Sequence, residues 1–333
     1  MGEILAWPNE PVVRLAPVEV TAHPGRHGML CHYTGDEMIG VCLARYGEWA
    51  EEELYLLSSF IRPADTVVDV GANIGTHTIA FSRFVGPTGR VHSIDGQYHA
   101  FAMLTLNTFL NAAENVRCVQ AIVGKECGVR MMPEEEPAAL PHLGLFSFVA
   151  SGMHAPNDRP GGQRLVPLSV ISLDQLDLPR CELVKIDAEG MELEVMSGAI
   201  RTIERFRPVI YFEQASEHLF LQTFEFLQDI SYDAFWHVAD PFNRNNLRGD
   251  SHNIFGGTRE VMVLALPREK RNALEKSGFV LDEISQPIYN PPRYPVPDPG
   301  WALPEAAYRN LPPVDFKRIE DLLEKIRLAR PIQ

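Results

Sequence analysis

Residues 66–76 read Thr-Val-Val-Asp-Val-Gly-Ala-Asn-Ile-Gly-Thr, and this stretch decides the fold class. The apolar, β-branched run Thr66 to Val70 predicts a buried strand, and Gly71 directly after it allows a tight turn. From Gly75 to Val85 the apolar residues return at helical period. Strand, glycine turn and helix in that order are the setting of a nucleotide-type cofactor loop. Outward from it the rhythm repeats. Strands are predicted at Arg90 to Ile94, Val116 to Val123, Leu183 to Ile186 and Pro208 to Phe212, and helices at Tyr98 to Asn111, Met191 to Ile203 and Glu217 to Leu227. This alternation predicts a doubly wound, parallel α/β sheet over residues 62–268.

The flanks read differently. Residues 1–61 show short strands and then an amphipathic helix, Trp49 to Ile61, with Leu54, Leu56, Leu57 and Phe60 on one face. Its early acids, Glu51 to Glu53, suit the positive end of a helix dipole. Residues 269–333 form an extension in which Gln286 to Pro313 is dense in proline, with Tyr289, Tyr294, Trp301 and Tyr308 interleaved. It closes in an amphipathic helix, Asp315 to Leu328, and is expected to pack on the body or to form a homodimer contact. Pro133 to Gln163, rich in Pro and Gly, reads as a loop insertion.

Composition narrows the function. The 333 residues include 30 basic and 44 acidic ones, for a net charge of −14, and no basic run exists, so a nucleic-acid substrate is not expected. No eighteen-residue apolar stretch is present, and the N-terminus does not read as a secretory signal. The five cysteines form no C-x-x-C pair, which suits a reduced, cytoplasmic protein.

The glycine turn selects the cofactor. A dinucleotide site needs a third glycine for approach to pyrophosphate, and that position is Asn73. A ligand without phosphates but with a ribose and an amino-acid tail fits better, namely S-adenosylmethionine (SAM). The helix N-terminus can receive its carboxylate. Asp95, 24 residues after Gly71, can accept the ribose hydroxyls, and Asp69 can orient the loop or meet the amino group. Ala72, Thr76, His77, Gln97, Ala121 and Asp187 complete the candidate cofactor set with Gly71, Asn73 and Gly75.

Strand ends carry the candidate chemistry. In doubly wound sheets ligands sit outside the carboxyl ends of the strands, so Asp187, Glu189 and Glu213 point to the cofactor crevice. They can stabilise a sulfonium or deprotonate an acceptor. Helix capping is the plainer role for such acids. A divalent metal between Asp187 and Glu213 is chemically allowed but not expected. His237 joins the catalytic candidates because, with His252, it brackets an Asn-rich loop, Asp240 to Gly257, suited to acceptor recognition.

Together these segments resemble the FkbM family of SAM-dependent methyltransferases. The matching stretches are Tyr46-Gly-Glu-Trp49, Val68 to Gly75, Lys185-Ile-Asp-Ala-Glu-Gly190, Arg207-Pro-Val209 running to Glu213, Phe235-Trp-His237, Phe242-Asn243, Asn253 to Gly256, and Leu266-Pro267-Arg268. The resemblance covers roughly residues 36–269. It implies a class I methyltransferase fold, Rossmann-like, with seven strands and the last one antiparallel. It also implies methylation of hydroxyls on sugars, polyketides and related metabolites, or of side-chain amides in peptides. By the same resemblance Gly71, Asn73 and Gly75 hold the cofactor, while Asp187 and Glu189 face the reacting centre. Two positions depart from the family pattern: Asp95-Gly96-Gln97 replaces Glu-Pro, and Met262 stands where the final strand often has Asn.

The leading expectation is therefore methyl transfer to a hydroxyl of a glycan or secondary metabolite. N-methylation of peptide amides comes second, and a non-catalytic SAM-binding module is disfavoured by the presence of all three strand-end acids. A nucleic-acid amino-methyltransferase would place Asn- or Asp-Pro-Pro-aromatic where this chain has Asp187-Ala-Glu-Gly190.

Overall fold

The computed structural model describes residues 12–15, 18–133, 164–214, 217–293, 301–319 and 321. Among these, strands form one eight-stranded and two three-stranded sheets. Thr66–Val70 (β4) is buried at every position, as a strand covered on both faces must be. It pairs in parallel with Arg90–Asp95 (β5) on one side and Leu183–Ile186 (β10) on the other. Val116–Gln120 (β6) continues the sheet beyond β5, and Val209–Glu213 (β11) continues it beyond β10.

Glu260–Pro267 (β13) then inserts antiparallel between β11 and Tyr232–Ala239 (β12). This gives the seven strands, one of them antiparallel, of a class I methyltransferase sheet. The two-residue strand Asp282–Glu283 (β14) of the C-terminal extension adds an eighth at the β12 edge.

Helices Thr76–Val85 (α3) and Tyr98–Leu110 (α4) follow β4 and β5, as the periodicity predicts. Three expectations change. The predicted strand Val116 to Val123 breaks at Ala121, where the chain leaves the main sheet, and Ile122–Val123 (β7) joins a small sheet with Gly128–Pro133 (β8) and Leu165–Ile171 (β9). The predicted helix Met191 to Ile203 is two helices, Glu192–Ser197 (α5) and Ile200–Phe206 (α6), interrupted at Gly198. The N-terminal region, besides Val12–Leu15, Val18–Pro24 and Met29–Tyr33 (β1–β3), contains a helix, Ile39–Tyr46 (α1), that the short-strand reading missed; Gly47 ends it in the left-handed region. The helix predicted from Trp49 is Glu51–Ser58 (α2). Most of the Pro133 to Gln163 insertion, and the closing helix beyond residue 321, lie outside the described residues.

One core fills the face of the sheet bearing Val68, Ile186 and Phe212, and a second fills the opposite face around Phe81, Tyr211 and Leu264. The N-terminal sheet packs its buried side on Ile74, Ile79 and Met103 of the first β-α units. The C-terminal extension lies on the body. Tyr308 stacks on Phe84 at 5.4 Å and meets His27 edge-on at 5.0 Å. Among the described residues no helix is long and apolar enough to cross a membrane.

Candidate active site

Register places the ends of four strands in one layer: Val70 lies beside Ile94 and Ile186, and Ile186 beside Phe212. Gly71, Asp95, Asp187 and Glu213 consequently gather just beyond the carboxyl edge, where doubly wound folds bind ligands. Two adjoining spaces open there, sharing Gly71, Asn73, Asp187 and Glu189 in their walls. The inner one, about 70 Å³, is also lined by Asp95, Gln97 and Ala121, so the break after β6 is what turns Ala121 to Val123 onto the cavity. The outer chamber, about 260 Å³, is also lined by Ala72, Thr76, His77 and Glu213.

Gly71 sits at φ 70°, and a Cβ there would run into the carbonyl of Asp187, so the turns after β4 and β10 touch backbone to backbone. Asn73 is also left-handed, at φ 49°. Its N–H donates to Asp95 Oδ2 at 2.8 Å while the Gln97 N–H donates to Oδ1 at 2.8 Å. Asp95 thereby ties the glycine loop to the start of α4 from within the wall of the inner space.

Gly75 and Asp69 line neither space. Gly75 precedes α3 at φ 93°, and its missing Cβ admits Leu104 of α4 rather than the sheet. Asp69 is fully buried, accepts from Thr78 Oγ1 at 2.6 Å and faces Lys185 Nζ at 3.7 Å. Of its two expected roles, orienting the loop agrees with this position; direct contact with an amino group does not.

The cavity fits SAM on its polar inventory. Asn73 Oδ1 and Gln97 Oε1 are buried acceptors without a hydrogen-bond partner. The amino and hydroxyl groups of SAM supply the donors such atoms need. SAM held there would supply an activated methyl group.

That chamber is acidic. Lys185, 3% exposed, holds Asp187 Oδ2 at 3.1 Å. Burial pulls the lysine's pKa down, but Asp187, Asp69 and Glu53 outweigh it and keep the ammonium charged. Glu189, at φ 50°, is pushed up to about 7 by burial and then by Asp187 and Glu192. The Glu192 carboxylate accepts from the N–H groups of Ala188 and Gly190 at 3.2 and 3.0 Å and holds that strained turn. Burial and four neighbouring acids, Asp187 first among them, raise Glu213 to about 9, so it is protonated at neutral pH. Oxygens of Asp187, Glu189 and Glu213 come within 4.8 Å of one another, a spacing a divalent cation can bridge. The Lys185 ammonium already supplies positive charge at Asp187.

The structure does not bring His237 to the cavity. It is 3% exposed, hydrogen-bonds Tyr211 through Nδ1 at 2.7 Å and meets Phe279 edge-on at 6.2 Å. Alternation along β12 puts it with Phe235 in the second core, opposite Met262 of the chamber wall but not itself in that wall. The loop after β12 does reach the chamber, through Pro241, Phe255 and Thr258.

Sequence reasoning missed Glu53 and Glu260, which line the chamber with Trp49. Glu53 stands three, four and seven residues before Leu56, Leu57 and Phe60, so it shares the apolar face of α2. Glu260 alternates with Met262, Leu264 and Leu266 on one face of β13. An acid on a buried stripe was the available signal in both places.

A class I methyltransferase sheet, a glycine loop pinned by Asp95, and orphaned acceptors where the cofactor belongs define a SAM-dependent methyltransferase. Residues 69–234 match the family model described as the methyltransferase FkbM domain, and the chain belongs to that family. No curated protein matches the chain. Among solved structures it is similar to precorrin-6y C5,15-methyltransferase from Geobacter metallireducens GS-15, at 17% identity and TM-score 0.40 over 64% of this chain and 87% of that one. Methyltransferase FkbM from Methylobacillus flagellatus KT matches at 15% identity and TM-score 0.39, over 62% of this chain and 47% of that one. The O-methyltransferase TomG from Streptomyces achromogenes, solved with SAM, matches at 13% identity and TM-score 0.36 over 65% and 78%.

Proposed function

We propose that the protein transfers the methyl group of SAM to a hydroxyl of a glycan or secondary metabolite. The observation that carries this reading is the wall of the outer chamber. Protonated Glu213 can donate to a hydroxyl oxygen, and the ionised carboxylates of that wall can accept a hydroxyl proton. Among the described residues Lys185 is the one lysine or arginine in that wall, and it is engaged by Asp187. Five free cysteines agree with work in a reducing cytoplasm.

The test is mass spectrometry after incubation with deuterated-methyl SAM and separate pools of glycans, polyketide alcohols and amide-bearing peptides. Label on a hydroxyl compound is expected. Label on peptide amide alone would replace this reading with N-methylation.

A further inference from the structure

Five carboxyl groups line the outer chamber, and they are not equivalent as proton acceptors. Asp187 is held by the Lys185 ammonium at 3.1 Å, Glu213 is protonated at neutral pH, and Glu189 borders the inner, cofactor space as well as the chamber. Glu260 shares a hydrogen bond with Glu53. Burial raises both, Glu260 well above the carboxylate range and Glu53 only to about 7, so Glu260 carries the shared proton and donates it. Glu53 is therefore the base of that pair. Its side chain is 3% exposed. The ring of His77, also buried in the same wall, places Nε2 3.4 Å from Glu53 Oε2, yet that nitrogen makes no hydrogen bond. An unsatisfied ring nitrogen beside a buried carboxylate marks a place where a polar ligand group belongs. Burial and Lys185 lower His77 to about 4, so the ring is neutral and does not compete for a proton.

We propose that Glu53, delivered by α2 from outside the matched segment 69–234, takes the acceptor proton, with Glu260 and His77 positioning it. The assignment rests on the hydroxyl-methylation reading above. The acceptor oxygen forms a bond to the methyl carbon, the carbon–sulfur electron pair stays on sulfur, and the acceptor O–H proton passes to the Glu53 carboxylate. The groups facing Glu53 are Glu52 on its own helix, His77 on α3, Lys185 and Asp187 at the end of β10, Tyr211 on β11, and Glu260 on β13.

The deciding measurement needs no acceptor. SAM and its demethylated product, S-adenosylhomocysteine, differ by the positively charged methyl sulfonium, which favours an ionised Glu53 if the two face each other. Calorimetry of the full-length protein between pH 6 and 8, in buffers of different ionisation enthalpy, reads the protons released. The wild type is expected to release more protons with SAM than with the product. Glu53→Gln should remove most of that excess while binding the product as tightly as wild type. An excess undiminished by Glu53→Gln overturns the proposal. On a hydroxyl acceptor found above, Glu53→Gln should lower kcat at least about a hundredfold, with Glu53→Asp partly restoring it and its pH profile. Label on amides alone would defeat the hydroxyl reading and leave the proton count to decide the role of Glu53.

Discussion

Around the inner space the backbone of the strand-end turns sets the shape, pinned by one carboxylate. Asp95 accepts the N–H groups of Asn73 and Gln97, and Gly71 lets two strand-end turns touch. The outer chamber is assembled from side chains that lie far apart in sequence: Glu53 from α2, His77 from α3, Lys185 from β10 and Glu260 from β13. Its far wall is the loop after β12, which the extension fastens through Trp301 N–H to Asp240 Oδ2 at 2.9 Å and Leu303 N–H to Asn243 Oδ1 at 2.8 Å. The lesson is one of tolerance. A backbone-built pocket accepts few changes at its turns, whereas a chamber built from side chains can change residue by residue and alter its acceptor.

The contrast breaks first at Gly71. Gly71→Ala adds a Cβ at positive φ against a carbonyl of the neighbouring strand end. SAM affinity should fall by more than about a hundredfold, measured by calorimetry, because the turn must move away from the ligand. Retained affinity would mean that the inner pocket is as yielding as the outer one.

Lys185→Met should be the costliest change to stability. It leaves Asp69, fully buried, without the ammonium 3.7 Å away and frees Asp187. Removing one partner of a buried ion pair costs about 3–5 kcal/mol. Denaturant unfolding should show that loss, and Asp69→Asn added to Lys185→Met should recover part of it.

Asp95→Asn tests whether the inner pocket depends on two accepted N–H bonds. An amide has one acceptor oxygen, so one of the two loop contacts at 2.8 Å is lost. A charge-assisted bond of this kind contributes about 1.5–3 kcal/mol, and SAM affinity should fall by about ten- to a hundredfold. Asn243→Ala, by contrast, loosens only the outer wall. Its side chain donates to Glu48 and accepts from Leu303 and Asn245 N–H groups. Acceptor KM should rise about tenfold with SAM affinity unchanged, and amide exchange should quicken across 240–258.

The same division explains what the sequence made legible. The glycine turn, Asp95 and the strand-end acids are local: each follows its strand directly, so Thr66 to Thr76 and Lys185 to Gly190 carry their own structural context. Ala121 lines the inner space because the chain leaves the main sheet there, a break the continuous apolar run to Val123 conceals. Glu53 and Glu260 needed tertiary knowledge, since their meeting spans about two hundred residues of chain. Reading Glu51 to Glu53 as dipole partners overlooked that Glu51 and Glu53 are buried. His237 failed for the converse reason: a polar residue in β12 can be satisfied by Tyr211 within the core, and its neighbours in sequence give no sign of that hydroxyl.

Glu213→Gln sharpens the comparison with the smallest effect. The folded protein raises Glu213 from the ordinary 4.5 to about 9, so it binds a proton that the unfolded chain releases. Its contribution is fully present below the unfolded value and declines as pH rises through 4.5 toward 9, because ionisation in the crowded site costs free energy. Replacing the carboxyl by an amide of the same shape removes that slope. The variant should melt a few degrees higher than wild type at pH 8 and at nearly the same temperature at pH 5, about 1 kcal/mol at a partly solvated position. Equal melting temperatures at both pH values would mean that Glu213 is not crowded by Asp187 and Glu189, and that the outer chamber carries less negative charge than its carboxyls imply.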